Sequence, residues 1–197
     1  MLLSFPKGKI IFRFGDRVPA YYRLTRGVVA IYTRDRLRML DLQTKGDCVG
    51  GIHHYLSQKY PNEAIAYTDV QIEKTSCPVD ERQLIRQQNN SLAALAKLID
   101  FQDYSAREKA IAGVHWFLSQ ASYDLSENKI AKIPLDDKTI TQITGLARET
   151  ITRALSPLVK EGILTRNVTY WEIHDWHSFC RFLPVSDAGD RSIPSCT

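Results

Sequence analysis

The apolar positions of this chain follow a short period first and a longer one afterwards. From Phe5 to about Cys77, brief apolar runs are cut by turn signals. Lys9-Ile-Ile-Phe-Arg-Phe14 predicts a strand and Gly15-Asp16 a turn. Tyr21–Thr25 predicts a second strand, closed by Arg26-Gly27. Val28–Thr33 follows, then an alternating stretch from Leu37 to Leu42, then a turn at Lys45-Gly46-Asp47. Ala64–Tyr67 and Val70–Thr75 read as later strands. Even spacing, with Gly and Asp at the breaks, predicts a small antiparallel barrel or roll. From Asp80 the signal is helical, with Leu92, Leu95, Leu98 and Ile99 recurring at three and four residues. Ser105-Ala-Arg-Glu108 has the form of a capping box and opens a further helix to about Ala121. The helix before it then spans only about 91–103, or ~20 Å at 1.5 Å per residue. Its apolar stripe suits either a seam with a second chain or core within one chain. Residues 122–134 read as a polar connection, and the tail from Ser186 as disordered.

The stretch from Asp136 to Leu155 carries the most chemistry. It predicts two short helices joined by a tight turn. Asp136 suits an N-cap, and Ile140 and Ile143 give the first helix an apolar face. Gly145 supplies a backbone position suited to positive φ. A second helix opening near Ala147 buries Ile151, Ala154, Leu155 and Leu158. Its opposite face carries Arg148, Glu149, Thr152 and Arg153. This is the layout of a DNA-reading helix-turn-helix, in which one face packs and the other meets base edges and phosphates. A blander reading pairs Glu149 with Arg153 as an intrahelical ion pair, worth about 0.3–0.5 kcal/mol. Thr139, Thr141, Thr150 and Thr152 are weaker candidates for phosphate contacts, since a threonine at a helix start also serves as a cap.

Composition narrows the alternatives. The chain has 197 residues, 44% hydrophobic and 24% charged, ordinary for a globular protein. No apolar run approaches the length of a membrane span, and the apolar start is too short for a signal peptide, so a cytoplasmic protein is expected. Four cysteines, at 48, 77, 180 and 196, match no zinc or iron–sulfur spacing. No nucleophile elbow, phosphate-cradling glycine loop or zinc-protease motif is present, so catalysis and a bound cofactor are not expected. The net charge is +4, but residues 1–40 alone carry nine Lys or Arg against Asp16 and Asp35. Residues 126–182 hold eight basic and seven acidic residues. The basic excess therefore lies outside the presumed DNA-reading segment. It fits general attraction to DNA, an anionic ligand, or a solvated strand face.

Thr144-Gly-Leu-Ala-Arg-Glu-Thr-Ile-Thr-Arg153 closely resembles the recognition segment of the cyclic-AMP receptor protein and fumarate-nitrate regulator (CRP/FNR) family. The similarity continues through Leu158-Val-Lys-Glu-Gly-Ile-Leu164. Arg166-Asn-Val-Thr-Tyr-Trp-Glu-Ile173 then looks like that family's winged hairpin. Phe5-Pro-Lys-Gly-Lys-Ile-Ile11, Tyr22-Arg-Leu-Thr-Arg-Gly27 and Gly46-Asp-Cys-Val-Gly50 fall in the order of its sensor jelly roll. The resemblance implies an α+β architecture. A cyclic-nucleotide-binding-like β-roll covers 1–79, linking and dimerisation helices 80–121, a winged helix-turn-helix 122–185, and a tail 186–197. It implies base reading of a TGTGA-type half-site by Arg148, Glu149 and Arg153, a homodimer on a palindromic duplex, and no membrane. RNA polymerase and an unknown small-molecule effector are further candidate partners. Two departures stand out. Ala147 replaces the family's usual serine N-cap, a loss of about 1 kcal/mol. Pro157 lies inside the second helix and should kink or tighten it.

The resemblance also bears on the effector. Family members that bind cyclic AMP contact the ribose through a Gly-Glu pair and the phosphate through an Arg-Ser pair. Here Gly51 follows Gly50, and Pro61-Asn-Glu-Ala64 occupies the arginine–serine position, where Glu63 would repel a phosphate. Cyclic AMP is therefore not expected, and the missing arginine leaves the 2-oxoglutarate response of a cyanobacterial relative unsupported too. His53-His54-Tyr55 admits haem ligation, as in gas-sensing relatives, or simply a polar loop. His174-Asp-Trp-His177-Ser-Phe-Cys180 admits a zinc site, but more readily a short helix packing Trp176 and Phe179. Alternatives to DNA reading are a ligand or haem sensor and a module whose winged helix binds protein.

Overall fold

The computed structural model describes residues 1–18, 20–49, 59–75, 81–124 and 127–184. The chain forms two compact units, Met1–Ile99 and Asp100–Thr197.

The first unit holds eight strands: β1 (Leu2–Phe5), β2 (Ile10–Phe12), β3 (Tyr21–Arg26), β4 (Val29–Tyr32), β5 (Met39–Gln43), β6 (Cys48–Val49), β7 (Glu63–Ala66) and β8 (Val70–Thr75). They form two four-stranded sheets, ordered β1-β8-β3-β6 and β2-β7-β4-β5, with every pair antiparallel. Leu24, Val49, Val70 and Ile72 from one sheet meet Phe12, Val29, Ile31, Ala64 and Ala66 from the other in a single core. Phe12 stacks on Tyr60 with ring centroids 3.5 Å apart. The expected strands are present with small shifts at their ends. β1 and β6 were not expected. β1 has no turn signal before it, and its pairing with β8, Leu3 opposite Ile72, is what makes it a strand.

Helix α1 spans Glu81–Asp100, 20 residues rather than the short 91–103 segment expected. The polar block Gln87-Gln-Asn-Asn90 interrupts the apolar spacing and hides the first turns. Polar side chains tie this helix to the roll. Gln87 donates to the Cys48 carbonyl and accepts from the Cys48 N–H, both at 2.9 Å, as a neighbouring strand would. Ser91 Oγ donates to Asp41 Oδ2 at 2.6 Å, and the Leu42 N–H donates to Asp41 Oδ1 at 2.9 Å.

In the second unit, a single 3₁₀ turn at Phe101–Asp103 precedes α2 (Ala106–Gln120). The expected capping box is formed: the Glu108 N–H donates to Ser105 Oγ at 3.3 Å, and the Ser105 N–H to Glu108 Oε2 at 2.8 Å. Beyond it lie β9 (Ile130–Ile133), α3 (Asp137–Thr144), α4 (Arg148–Lys160), β10 (Leu164–Arg166), β11 (Trp171–Ile173) and α5 (Trp176–Cys180). Although expected to serve as a linker, α2 packs on α3 and α4 and buries Ile111, Val114, Phe117 and Leu118. Gly113 lets α3 approach, since a Cβ there would lie 2.6 Å from Thr144 Cγ2. β9 falls inside the segment read as polar connection. Its Ile130 and Ile133 are buried and pair with Ile173 and Trp171, giving the sheet order β10-β11-β9. The expected short C-terminal helix is α5, with Trp176 and Phe179 buried.

Asp41 makes the first unit sensitive to pH. Burial pushes its carboxyl up to about 6, although the Ser91 and Leu42 hydrogen bonds pull the other way; the Asp47 charge adds to the rise. An unfolded aspartate titrates near about 3.9. The contribution of Asp41 to stability is therefore complete below about pH 4 and is lost as the pH rises through about 6. Asp41→Asn should raise the melting temperature at pH 8 by clearly more than at pH 4.5, read by thermal unfolding at both values. An equal shift at both would show that the carboxyl does not titrate as described.

Candidate nucleic-acid interface

The turn between α3 and α4 is set by local chemistry. Asp136 Oδ1 accepts from the Thr139 N–H at 2.8 Å and from the Thr139 hydroxyl at 2.7 Å, capping α3. Gly145 closes that helix at φ 74°, a conformation costly for residues with a Cβ. Its N–H donates to the Thr141 carbonyl at 2.7 Å. Ala147 then takes the N-cap position of α4 without a side-chain acceptor. The helix runs on through Pro157 to Lys160, so the proline does not end it.

Ile151, Leu155 and Leu158 of α4 are fully buried, and Ala154 is half-buried. Arg148, Glu149, Thr152 and Arg153 are exposed. At ~100° per residue these four fall within an arc of about 140°. Thr150 turns toward the flank and is half-buried, as is Thr141. No ion pair joins Glu149 to Arg153 among the described residues. Thr139 requires correction as a phosphate contact. It is 4% exposed, and its hydroxyl is engaged by the Asp136 cap.

Sequence reasoning missed the residue at the centre of this surface. Asp137, in the first turn of α3, accepts from Arg148 Nε at 3.1 Å through Oδ2 and from Arg166 Nη2 through Oδ1. Arg166 lies over the Trp171 ring, 4.9 Å from its centroid, and its Nη2 reaches Thr152 Oγ1 at 3.5 Å. One carboxylate thus joins α3, the first turn of α4 and the wing strand β10. The Asp136-Asp137 doublet was the available signal, since a cap needs only one carboxylate. At the wing, the Asn167 N–H donates to the Tyr170 carbonyl at 2.9 Å, and Val168 stands 92% exposed. The arrangement offers guanidinium forks, a carboxylate acceptor and hydroxyl donors on one face, the groups that read base edges and hold phosphates.

Other candidate positions are arranged differently. Arg36 binds the buried Glu63 through two nitrogens, with Nη2 donating to Oε1 at 2.7 Å. The carboxylate expected to repel a phosphate is thus neutralised by a guanidinium. His174 Nε2 lies 2.8 Å from Thr165 Oγ1, and His177 Nδ1 lies 2.5 Å from Asn128 Oδ1. Among the described residues no three His, Cys, Asp or Glu side chains group as metal ligands. Gly50, Gly51, His53, His54, Cys77, Cys196 and the tail lie outside the described residues. No described helix is long and apolar enough to cross a membrane.

Comparison with known proteins agrees with this geometry. Residues 2–74 match the cyclic nucleotide-binding domain, and residues 114–182 the Crp-like helix-turn-helix domain. No curated protein matches the sequence. Among solved structures, a CRP/FNR-family transcriptional regulator from Thermus thermophilus is 20% identical with a TM-score of 0.72, covering 92% of this chain and 97% of its own. FixK2 from Bradyrhizobium japonicum is 18% identical with a TM-score of 0.73, covering 94% and 98%. The c-di-GMP responsive global regulator CLP of Xanthomonas campestris is 16% identical with a TM-score of 0.68, covering 88% and 93%. The chain thus carries a cyclic nucleotide-binding domain followed by a Crp-like helix-turn-helix domain, and it shares the fold of CRP/FNR-family regulators along nearly its whole length.

Proposed function

We propose that the protein is a sequence-specific transcription regulator that binds a two-fold symmetric duplex as a homodimer and does not respond to cyclic AMP. The observation that carries the reading is the face of α4. Arg148, Glu149, Thr152 and Arg153 are exposed opposite buried Ile151, Leu155 and Leu158, within the segment that matches the Crp-like domain. Arg148 and Arg153 suit the O6 and N7 acceptors of guanine, and Glu149 suits the N4 amino group of cytosine. Phosphate contacts come from Thr152, Thr150 and neighbouring basic side chains.

Independence from cyclic AMP is supported by the sequence of the roll. Gly51 follows Gly50 where a ribose-binding glutamate would stand, and no arginine–serine pair precedes Ala64. The guanidinium of Arg36 is bound to Glu63. The Xanthomonas campestris protein of the same fold is c-di-GMP responsive, so the fold does not by itself specify cyclic AMP.

The dimer is supported by α1. Ile85, Leu92 and Ile99 stand seven residues apart and are 53%, 57% and 66% exposed. Seven-residue spacing sets them on one stripe of the kind that forms a two-helix seam. At ~1.5 Å per residue α1 is about 30 Å long, enough for such a seam.

Two outcomes are expected. The purified protein, with no ligand added, should enrich a symmetric TGTGA-like site from a random duplex pool. Arg148→Ala should then lower discrimination at one base pair of each half-site by ~1–3 kcal/mol, measured by titration of single-substituted duplexes. Equal losses on specific and random duplex would remove Arg148 from base reading. Separately, Leu92→Glu should yield a folded monomer by sedimentation and abolish tight binding to the symmetric site. A persistent dimer would rule out the α1 seam.

A further inference from the structure

Arg148 is the base-reading arginine only if its fork is aimed, and little in its immediate surroundings aims it. Its side chain is 77% exposed, and among the described residues its one hydrogen-bonding partner is Asp137. Asp137, by contrast, is well held. Its side chain is 17% exposed, and Arg166, at 15%, is clasped between that carboxylate and the Trp171 ring. The buried end of the series is therefore Trp171 and Arg166, and the exposed end is Arg148.

We propose that Asp137 is a positioning residue for DNA recognition, holding the Arg148 guanidinium by its Nε so that both terminal nitrogens face outward as a fork. This inference rests on the proposed reading of a base by Arg148. The bond geometry fits the role. Asp137 Oδ2 takes the Nε–H at 3.1 Å, leaving the two terminal nitrogens, the pair that matches guanine O6 and N7. Oδ1 is turned to Arg166, so the carboxylate cannot follow Arg148 outward without releasing the wing. An arginine ordered before docking loses less conformational freedom on the base than one that must be ordered there. The carboxylate also tells against indiscriminate binding, because a negative charge beside the duplex weakens phosphate attraction for every sequence alike. Asp137 should therefore raise specific binding relative to random binding.

The test uses the duplex enriched from the random pool and versions of it changed at single base pairs. Asp137→Asn keeps the size of the side chain and removes its charge. We expect it to lower discrimination by about three- to tenfold at the same base pair that Arg148→Ala affects, a fraction of the ~5- to 150-fold carried by a whole bidentate contact. Affinity for random duplex should hold or rise. In the Arg148→Ala background the Asp137→Asn change should no longer alter that discrimination, whereas a carboxylate that only held the fold would act equally in both backgrounds. Circular dichroism and the melting temperature establish that each variant is folded. Unchanged discrimination in Asp137→Asn, an equal fall in both backgrounds, or a uniform gain on all duplexes overturns the positioning role alone. Absence of an enriched duplex, or an Arg148→Ala loss without base-pair preference, overturns the reading of Arg148 and this role with it.

Discussion

The buried face of α4 fixes everything outside it. Ile151, Leu155 and Leu158 reach zero exposure in the core that α2 builds with α3 and α4. Truncating any of these to alanine would cost about 2–5 kcal/mol, so the helix has one stable rotation about its axis. Turning it by one residue, ~100°, would bury a charged side chain and expose an apolar one. The close approach of α2 and α3 at Gly113 removes slack from the same core. Arg148, Glu149, Thr152 and Arg153 are thus aimed by packing, and the DNA recognition proposed for them rests on a hydrophobic constraint on the far side of the helix.

Much of this was legible in the sequence because each signal is local. The Asp136 cap, the left-handed Gly145, the apolar spacing of α4 and the Ser105–Glu108 box all lie within a few residues of the structure they specify. The parts that were not legible depend on residues far apart in the chain. β9 is a strand because Ile130 and Ile133 meet β11, some forty residues away, and the isolated segment looks polar. The first turns of α1 carry Gln and Asn that serve the roll by hydrogen bonding, which periodicity does not register. Thr139 could be read as a cap partner or as a phosphate contact, and only the position of its hydroxyl decides. The bond from Arg166 to Asp137 crosses twenty-nine residues, so the pairing that joins α3 to the wing left no local pattern beyond the Asp136-Asp137 doublet.

The first unit shows polar groups doing the positioning that apolar packing does in the second. Gln87 satisfies both backbone groups of Cys48 in the short strand β6, and Ser91 engages the buried Asp41. A buried amide or carboxyl without such a partner would cost about 1–3 kcal/mol, so these contacts specify where α1 rests on the roll. The basic excess of residues 1–40 is partly answered within the same unit. Arg23 donates to Glu73 at 2.9 Å, Arg36 is bound to Glu63, and Arg34 lies 4.9 Å from the Phe14 ring centroid. These pairings favour a solvated strand face over a dedicated anion site for that charge.

In the proposed complex the fork of Arg148 grips one guanine in each half-site through O6 and N7. Methylation of guanine N7 removes that acceptor and adds bulk in the major groove, so an interference experiment addresses the contact itself. One guanine per half-site should block binding of the native protein when methylated, and the same methyl group should cost the Arg148→Ala variant nothing further. Identical interference patterns for the two proteins would contradict the claim.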